Sequence, residues 1–307
     1  MYRNAKITTP VVLIIFNRPE LTKLVFQEIR NVKPTSLYII ADGPRKSRPG
    51  ENESCRLTRD IIETVDWECN VYKNYSDVNL GLKKRIESGL DWVFEKTEEA
   101  IILEDDCLPH PTFFQFCQEL LHYYSNSEKI MMISGGNFFP QFRHGKYSYY
   151  FSAYYHVWGW ASWRRAWKHF DSEMKDWLSF KDGNYLNNIT GDEKSASYLK
   201  TILQEVYEGK INSWAYKWLY ACWLQNGLSI VPSKNLISNI GDDRDATHSK
   251  RAADNSLNIP TEPMQFPLKH PVTTERNLEA DKFETKKWHR FRGRDKFIRI
   301  VKSILKL

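Results

Sequence analysis

No apolar run in this 307-residue chain is long enough to cross a bilayer. The longest, Val11-Val12-Leu13-Ile14-Ile15-Phe16, falls far short of the roughly 20 residues a membrane helix needs. No charged-then-apolar leader precedes it. Cysteine is scarce: Cys55, Cys69, Cys107, Cys117 and Cys222 form no CxxC pair and no even framework. That excludes a disulfide scaffold and structural zinc, and it predicts a reducing, cytoplasmic setting. Glycine-rich phosphate cradles are also missing. No Gly-x-Gly-x-x-Gly and no Gly-x-x-x-x-Gly-Lys-Ser/Thr follows a strand pattern, so dinucleotide and P-loop chemistry lack their anchor. The body of the chain lacks positive charge as well. Residues 286–307 hold nine Lys or Arg against one Asp, a net of +8, which leaves −2 for the rest of a chain whose total is +6. A nucleic-acid binder spreads positive charge over its folded body. Nucleic acid is not a predicted partner.

What the chain has in excess is aromatic side chains, 14% of residues including 11 Trp. Such rings line sites that stack flat ligands, and equally fill cores. The basic tail carries Phe297, Ile300, Val301, Ile304 and Leu305 at helical spacing, with its cations mostly elsewhere on the wheel. That pattern suits a helix lying on an anionic membrane surface, or one packed on its own domain.

Strand and helix patterns alternate along the first hundred residues. Strands are expected at 11–16, 37–40, 70–75 and 100–103, and helices at 21–29, 57–65 and 82–95. This succession predicts an α/β fold with an open, mainly parallel sheet flanked by helices. Three regions follow: a main domain over 1–250, a polar wrapping or mobile segment over 251–285, and the basic amphipathic helix over 286–307. Ligands on such sheets bind at the carboxyl ends of the strands. That rule gathers Asn17, Arg18, Asp42, the 79–81 loop and Glu104-Asp105-Asp106 along one edge.

The acidic trio is the sharpest feature. Side chains alternate along a strand, so Glu104 and Asp106 are expected on one side and Asp105 on the other. Oxygen donors at a strand end suit Mg2+ or Mn2+, which would share the remaining positions with phosphate oxygens. The rival reading is an acidic cap on the helix starting near Pro111. Without a glycine cradle, a diphosphate would need that cation and nearby basic groups, for which Arg18, Lys83, Lys84 and Arg85 are placed. Asp42 either accepts hydrogen bonds from a nucleoside or shapes the Asp-Gly-Pro turn.

With these residues in view, the chain resembles GT-A-fold glycosyltransferases, the bacterial family-2-like enzymes similar in pattern to N-acetylglucosaminyltransferase I. The resemblance runs from Val11 to about His248. It is carried by Phe16-Asn17-Arg18-Pro19, Ile40-Ala41-Asp42, Ile102-Leu103-Glu104-Asp105-Asp106, Phe113-Phe114-Gln115-Phe116, Ile133-Ser134-Gly135-Gly136-Asn137, Trp158-Gly159-Trp160-Ala161-Ser162-Trp163 and Ile240-Gly241-Asp242-Asp243. It implies a metal-dependent, inverting transfer from a nucleotide-diphosphate sugar, with uridine the expected base, to a glycan or lipid-linked acceptor in surface polysaccharide synthesis. Asp106 would ligate the metal, His248 would complete the metal or diphosphate shell, Arg18, Asp42, Glu104 and Asp105 would line the nucleotide site, and Asn79, Gly81, Lys84 and Arg85 belong to a stretch closing over it.

The resemblance also places a general-base Asp within a Trp-Asp pair ahead of an aromatic helix. Here the stretch reads Ser213-Trp214-Ala215-Tyr216-Lys217-Trp218, with Ala215 at that position. Three explanations stand: a chain altered there so as to trap a complex, a base supplied by Asp192, Glu193, Asp242 or Asp243, or an inactive protein. Trp158, Trp160, Trp214 and Tyr216 are the acceptor-side candidates, although 160, 163 and 167 also fit helical core spacing. Two rivals to the transferase remain. One is a sugar nucleotidyltransferase, which needs a glycine-rich basic loop that Asn17-Arg18-Pro19-Glu20 does not supply. The other is a glycan-binding module on a dead transferase fold.

Overall fold

The computed structural model describes residues 6–139, 146–241 and 257–286. Its first strand, β1 (Val11–Ile15), is buried along its whole length. Pro19 opens α1 (Pro19–Val32), where the missing N–H of proline costs nothing, and Lys33 closes it in the left-handed conformation. The chain then runs through β2 (Ser36–Ala41), α2 (Glu51–Asp60), β3 (Asn70–Tyr75), α3 (Leu82–Lys96) and β4 (Glu99–Glu104). A short β5 (Cys107–Pro109), α4 (Thr112–Tyr123), β6 (Ile130–Ser134), β7 (Tyr149–Ser152) and β8 (Trp160–Trp163) follow. Next come α5 (Arg164–Trp167), α6 (Trp177–Asp182), α7 (Tyr185–Thr190), α8 (Glu193–Tyr207) and α9 (Trp214–Leu224), then β9 (Leu228–Pro232) and β10 (Ile237–Asn239).

Eight strands form one sheet in the order β3-β2-β1-β4-β8-β6-β9-β7, and β5 pairs with β10 apart from it. The β3-β2-β1-β4 half is parallel throughout, with Ile14 opposite both Ile40 and Glu104. Beyond β4 the pairing turns mixed, since β8 runs antiparallel to both β4 and β6. The architecture is therefore the expected mixed α/β sheet flanked by helices. In the parallel half the chain steps from β1 outward to β2 and β3, then returns to the far side of β1 as β4. The topological switch point lies between β1 and β4, and there ligand crevices open in such sheets.

Strand alternation sorts the core. Val11, Leu13 and Ile15 join the cluster under α1 and α4, whereas Val12 and Ile14 join the cluster under α3 and α9. The helix α9 serves two clusters: Trp214 and Trp218 face the sheet, and Tyr220 and Trp223 face a third cluster built on α6 and α8.

Two expectations need correction. The helix anticipated over 57–65 starts earlier, at Glu51, behind Gly50 at φ 80°, and tightens into a 3₁₀ turn over Ile61–Thr64. Its apolar periodicity was poor, and a glycine that adopts positive φ cheaply set the start. Trp160, Trp163 and Trp167 do not share a helical stripe. Trp160 and Trp163 bound a strand and point to opposite faces, into different clusters. Strand pairing with β4 overrode the three-residue spacing.

The segment 257–286 lies along the body. Asn258 N–H donates to Asn239 O, Met264 N–H to Thr112 Oγ1 and Lys269 N–H to Ser148 Oγ. Residues 278–286 are helical, and Asp281 accepts from Ser152 Oγ at 2.5 Å and from Ala153 N–H at 3.1 Å. Glu284 pairs with His156 at 3.3 Å, both buried. All five cysteines are free, and among the described residues no helix is long and apolar enough to cross a membrane.

Candidate active site

Arg18 is the link across the switch point. It sits just beyond β1, at the N-cap of α1, and its guanidinium reaches over to the turn after β4. One nitrogen lies 3.2 Å from Asp105 Oδ1 and another 3.0 Å from Asp106 Oδ2. The strand ends at Glu104, so Asp105 and Asp106 stand in a turn and both face Arg18. The expected alternation, with Asp105 turned away, fails because the backbone leaves the pleat there. Asp105 is buried and Asp106 half-buried. Burial, then the charges of Asp106 and Asp105, push the Glu104 carboxyl well above the usual carboxylate range, against the opposing pull of Arg18. Gly241 seals the far side: a Cβ there would meet Asp106 Oδ2 at 2.3 Å, and Ile240 N–H donates to the Asp106 carbonyl.

Asp42 occupies the neighbouring strand end and is buried. Its Oδ1 accepts the Gly43 and Leu80 N–H groups, and its Oδ2 accepts the Gly81 N–H and the Asn79 side-chain amide, all at 2.9–3.0 Å. Asn79 also donates to Gly43 O at 2.8 Å. Gly43 allows the approach, since a Cβ there would meet Val78 backbone at 2.5 Å. Asp42 thus holds the 79–81 loop by three hydrogen bonds and its own turn by the fourth. The loop feeds straight into α3, capped by Gly81 at φ 79°.

Beside Arg18, the side chain of Asn17 donates to Glu51 Oε1 at 3.0 Å, and Glu51 also takes the Arg45 guanidinium. Burial raises the Glu51 carboxyl, but the hydrogen bonds from Arg45 and Asn17 outweigh it and hold it below its ordinary range. Arg45 in turn lies over the Phe16 ring, 5.4 Å from its centroid. Sequence reasoning missed Arg45 and Glu51. They lie in a polar stretch without periodicity, and only loop closure pairs them.

The remaining sequence candidates divide. Lys84 is exposed on the first turn of α3. Arg85 is buried and bonds Asn74 Oδ1 at 2.7 Å, so it braces β3 against α3 beneath the loop. The first turns of α3 and α9 bring the like-charged Lys83 and Lys217 near each other, and burial first, then Lys83, draws the Lys217 amine down to about 8. Ala215 is the second residue of α9, in the same first turn as Lys217. It is half-buried and packs on the cluster under α3. Trp214 and Trp160 stack with centroids 5.9 Å apart and are both buried. Tyr216 is half-buried. Trp158 is half-buried against Phe138, with centroids 5.1 Å apart. Asp192 caps α8 by accepting the Ser195 N–H at 2.9 Å, and Glu193 is exposed on that helix's first turn. Asp242, Asp243 and His248 lie outside the described residues.

A divalent cation would find a partial fit. Among the described residues no three ligating side chains cluster. Asp106, half-buried at the switch point, offers a hard carboxylate, the donor type that Mg2+ and Mn2+ share with substrate phosphates.

No family model and no curated protein matches the chain by sequence. Among solved structures it is similar to a mannosyltransferase from Pyrobaculum calidifontis in complex with GDP-Man and Mn2+, at 12% identity and TM-score 0.37, over 72% of this chain and 71% of that one. It is also similar to a 4-diphosphocytidyl-2C-methyl-D-erythritolsynthase from Anaerococcus prevotii, at 11% identity and TM-score 0.34, over 56% and 77%. A third similar structure is a UDP-glucose pyrophosphorylase complexed with UDP-glucose, at 13% identity and TM-score 0.27, over 48% of this chain and 62% of that one. The chain thus covers under two thirds of the pyrophosphorylase.

Proposed function

We propose that the chain is a glycosyltransferase that takes a hexose or N-acetylhexosamine from a nucleotide-diphosphate donor, with UDP the expected carrier. The observation that carries this reading is the cluster at the switch point, where Arg18 ties the end of β1 to Asp105 and Asp106 after β4. Beside it, Asp42 holds a loop that opens into α3. The acceptor is proposed to be a glycan or lipid-linked sugar of bacterial surface polysaccharide, met at the inner membrane face through the basic tail, whose residues 287–307 lie outside the described ones.

In this reading Arg18 binds the diphosphate and keeps the two aspartates together. Asp106 is the residue that would hold Mg2+ or Mn2+, whose charge would offset that building on the leaving diphosphate. The α3 N-terminus, with Lys84 exposed on its first turn, adds positive potential toward the same anion. These groups stand at the ends of buried strands, a placement that suits groups positioned before the donor arrives. An inverting transfer also needs a proton acceptor at the incoming hydroxyl. Ala215 cannot serve, which favours a second reading: a glycan-binding module on a transferase fold without turnover.

Isothermal titration of UDP with and without Mn2+ tests the proposal, with Asp106→Ala beside the unaltered chain. The transferase reading requires metal-assisted binding that Asp106→Ala abolishes while thermal unfolding stays close to that of the unaltered chain. Absence of nucleotide binding in the unaltered chain would sink it. Normal metal-assisted affinity in the variant would make the trio a structural cap.

A further inference from the structure

We propose that a cavity at the amino edge of the sheet, ringed by Lys129, Arg165, Lys168 and His169, binds a phosphate monoester. The cavity measures about 340 Å³, at the small end of the range for small-molecule sites. It lies where three connections meet: the turn from α4 into β6, the residues just after α5, and the turn from α9 into β9. Trp163, the last residue of β8, pairs with Glu99 at the start of β4, whereas Asp105 and Asp106 follow the other end of that six-residue strand. The cavity and the Arg18 cluster therefore stand on opposite edges of the sheet, and the site is independent of the donor reading.

The charge around this cavity is not compensated. Lys129, Arg165 and Lys168 are permanent cations, and Glu128 is the single carboxylate among the lining residues. Among the described residues none of the four basic side chains is paired with a carboxylate, although the adjacent Arg164 takes Glu98 at 2.5 Å. Arg165 lies over Trp163, 4.1 Å from its ring centroid, and donates to the carbonyls of Tyr124, Ser125 and Ile130 at 2.8–3.0 Å. Burial works against its charge, and Glu128 only partly opposes that. Burial first, then the charge of Lys168, holds the His169 imidazole below its usual range, again with Glu128 opposing. An anion in the cavity would relieve both groups. Three of the five Arg165 N–H donors are already committed, so it supplies charge rather than the two-pronged grip that selects a flat carboxylate. Lys129 spends one of its three N–H donors on Thr274 O at 3.0 Å, and Lys168 is exposed. These two ammonium groups come from different connections and act as point charges, which suits the several oxygens of a tetrahedral phosphate dianion. The volume leaves room for the group that carries the phosphate.

The test follows the His169 imidazole by NMR in the full chain at fixed pH, its signal assigned by its loss in His169→Gln. The soluble probes are inorganic phosphate, glucose 6-phosphate, acetate and sodium chloride at matched ionic strength. The membrane probes are phosphatidylcholine vesicles with and without phosphatidic acid. Phosphate and glucose 6-phosphate should shift the signal saturably. Lys129→Gln and Lys168→Gln should each weaken glucose 6-phosphate about fivefold, the scale of one exposed charge contact, and Glu128→Gln should tighten it several-fold. All three side chains are exposed, so thermal unfolding should match that of the unaltered chain, and where one variant unfolds the other two carry the test. A shift caused by phosphatidic-acid vesicles alone would keep the phosphate chemistry and make its source a lipid headgroup. An equal shift with chloride would reduce the effect to screening and overturn the site. Acetate binding as tightly as phosphate would overturn the choice of ligand. Unchanged affinity in both lysine variants, or no shift with any phosphate, would overturn the proposal outright.

Discussion

Asp42 illustrates how a carboxylate at a strand end can be spent. Four donors from one loop and one turn occupy it, so its role is to hold the 79–81 loop against the sheet. The tryptophans separate in the same way. Trp160 and Trp214 are buried and stacked, whereas Trp158 is half-buried at the rim beside Phe138. Trp214→Ala should therefore cost stability on the order of 3–5 kcal/mol, seen in denaturant unfolding. Trp158→Ala should cost far less and act instead on acceptor KM once a competent acceptor is found. A small stability loss for Trp214→Ala would show that ring to be a ligand platform. The residue types of this site were legible in the sequence for Arg18, Asp105 and Asp106, because an apolar strand ending in charge marks a carboxyl edge. Arg45 and Glu51 were not, since their pairing depends on where a non-periodic loop closes.

Among the elements, α9 carries the sharpest question. Its first turn holds Ala215 and brings Lys217 near Lys83 on the first turn of α3. Ala215→Asp would place a carboxylate near a helix N-terminus, where negative charge is tolerated. If the transferase lacks only its base, this change should raise turnover on the order of 10²–10⁴ at unchanged donor affinity. That is the pattern of an interaction made only in the transition state. Brisk turnover by the unaltered chain, with no gain from Ala215→Asp, would put the base elsewhere. The parallel strands and α1, α3 and β3 were readable from periodicity. The strand β8 was not, because Trp160 and Trp163 satisfy a helical spacing and yet bound a strand that pairs with β4 and β6.

At the scale of the whole molecule, the returning segment fastens the far edge of the sheet. Asp281 bonds Ser152 and Ala153 and pairs with Arg276. Burial pushes its carboxyl up to about 6, with the Ser152 and Arg276 contacts only partly opposing. A folded value above the ordinary value of about 4 means that the folded chain holds this proton more tightly than the unfolded one. The associated stability is full below about pH 4 and is lost as pH rises through about 6. Asp281→Asn should flatten that slope in urea midpoints compared at pH 4.5 and 7, and an unchanged slope would show that another group causes it. Beyond this segment lies the +8 tail. Flotation with anionic liposomes should recover the full chain and leave a chain ending at Thr285 behind. Equal behaviour of the two would remove the membrane proposal.

The sequence alone determined the α/β class, the parallel half of the sheet and the edge on which its charged residues gather. Each of these follows from local apolar pattern and from where strands end, and burial of a two-faced strand leaves few alternatives. Tertiary structure alone decided which charges meet. It turned Asp105 toward Arg18, filled Asp42 with the N–H groups of a loop nearly forty residues away, and set Arg45 over Phe16. Those outcomes depend on loop closure across the sheet edge, where contacts distant in sequence are selected by packing and hydrogen-bond satisfaction. No local pattern in the chain encodes them.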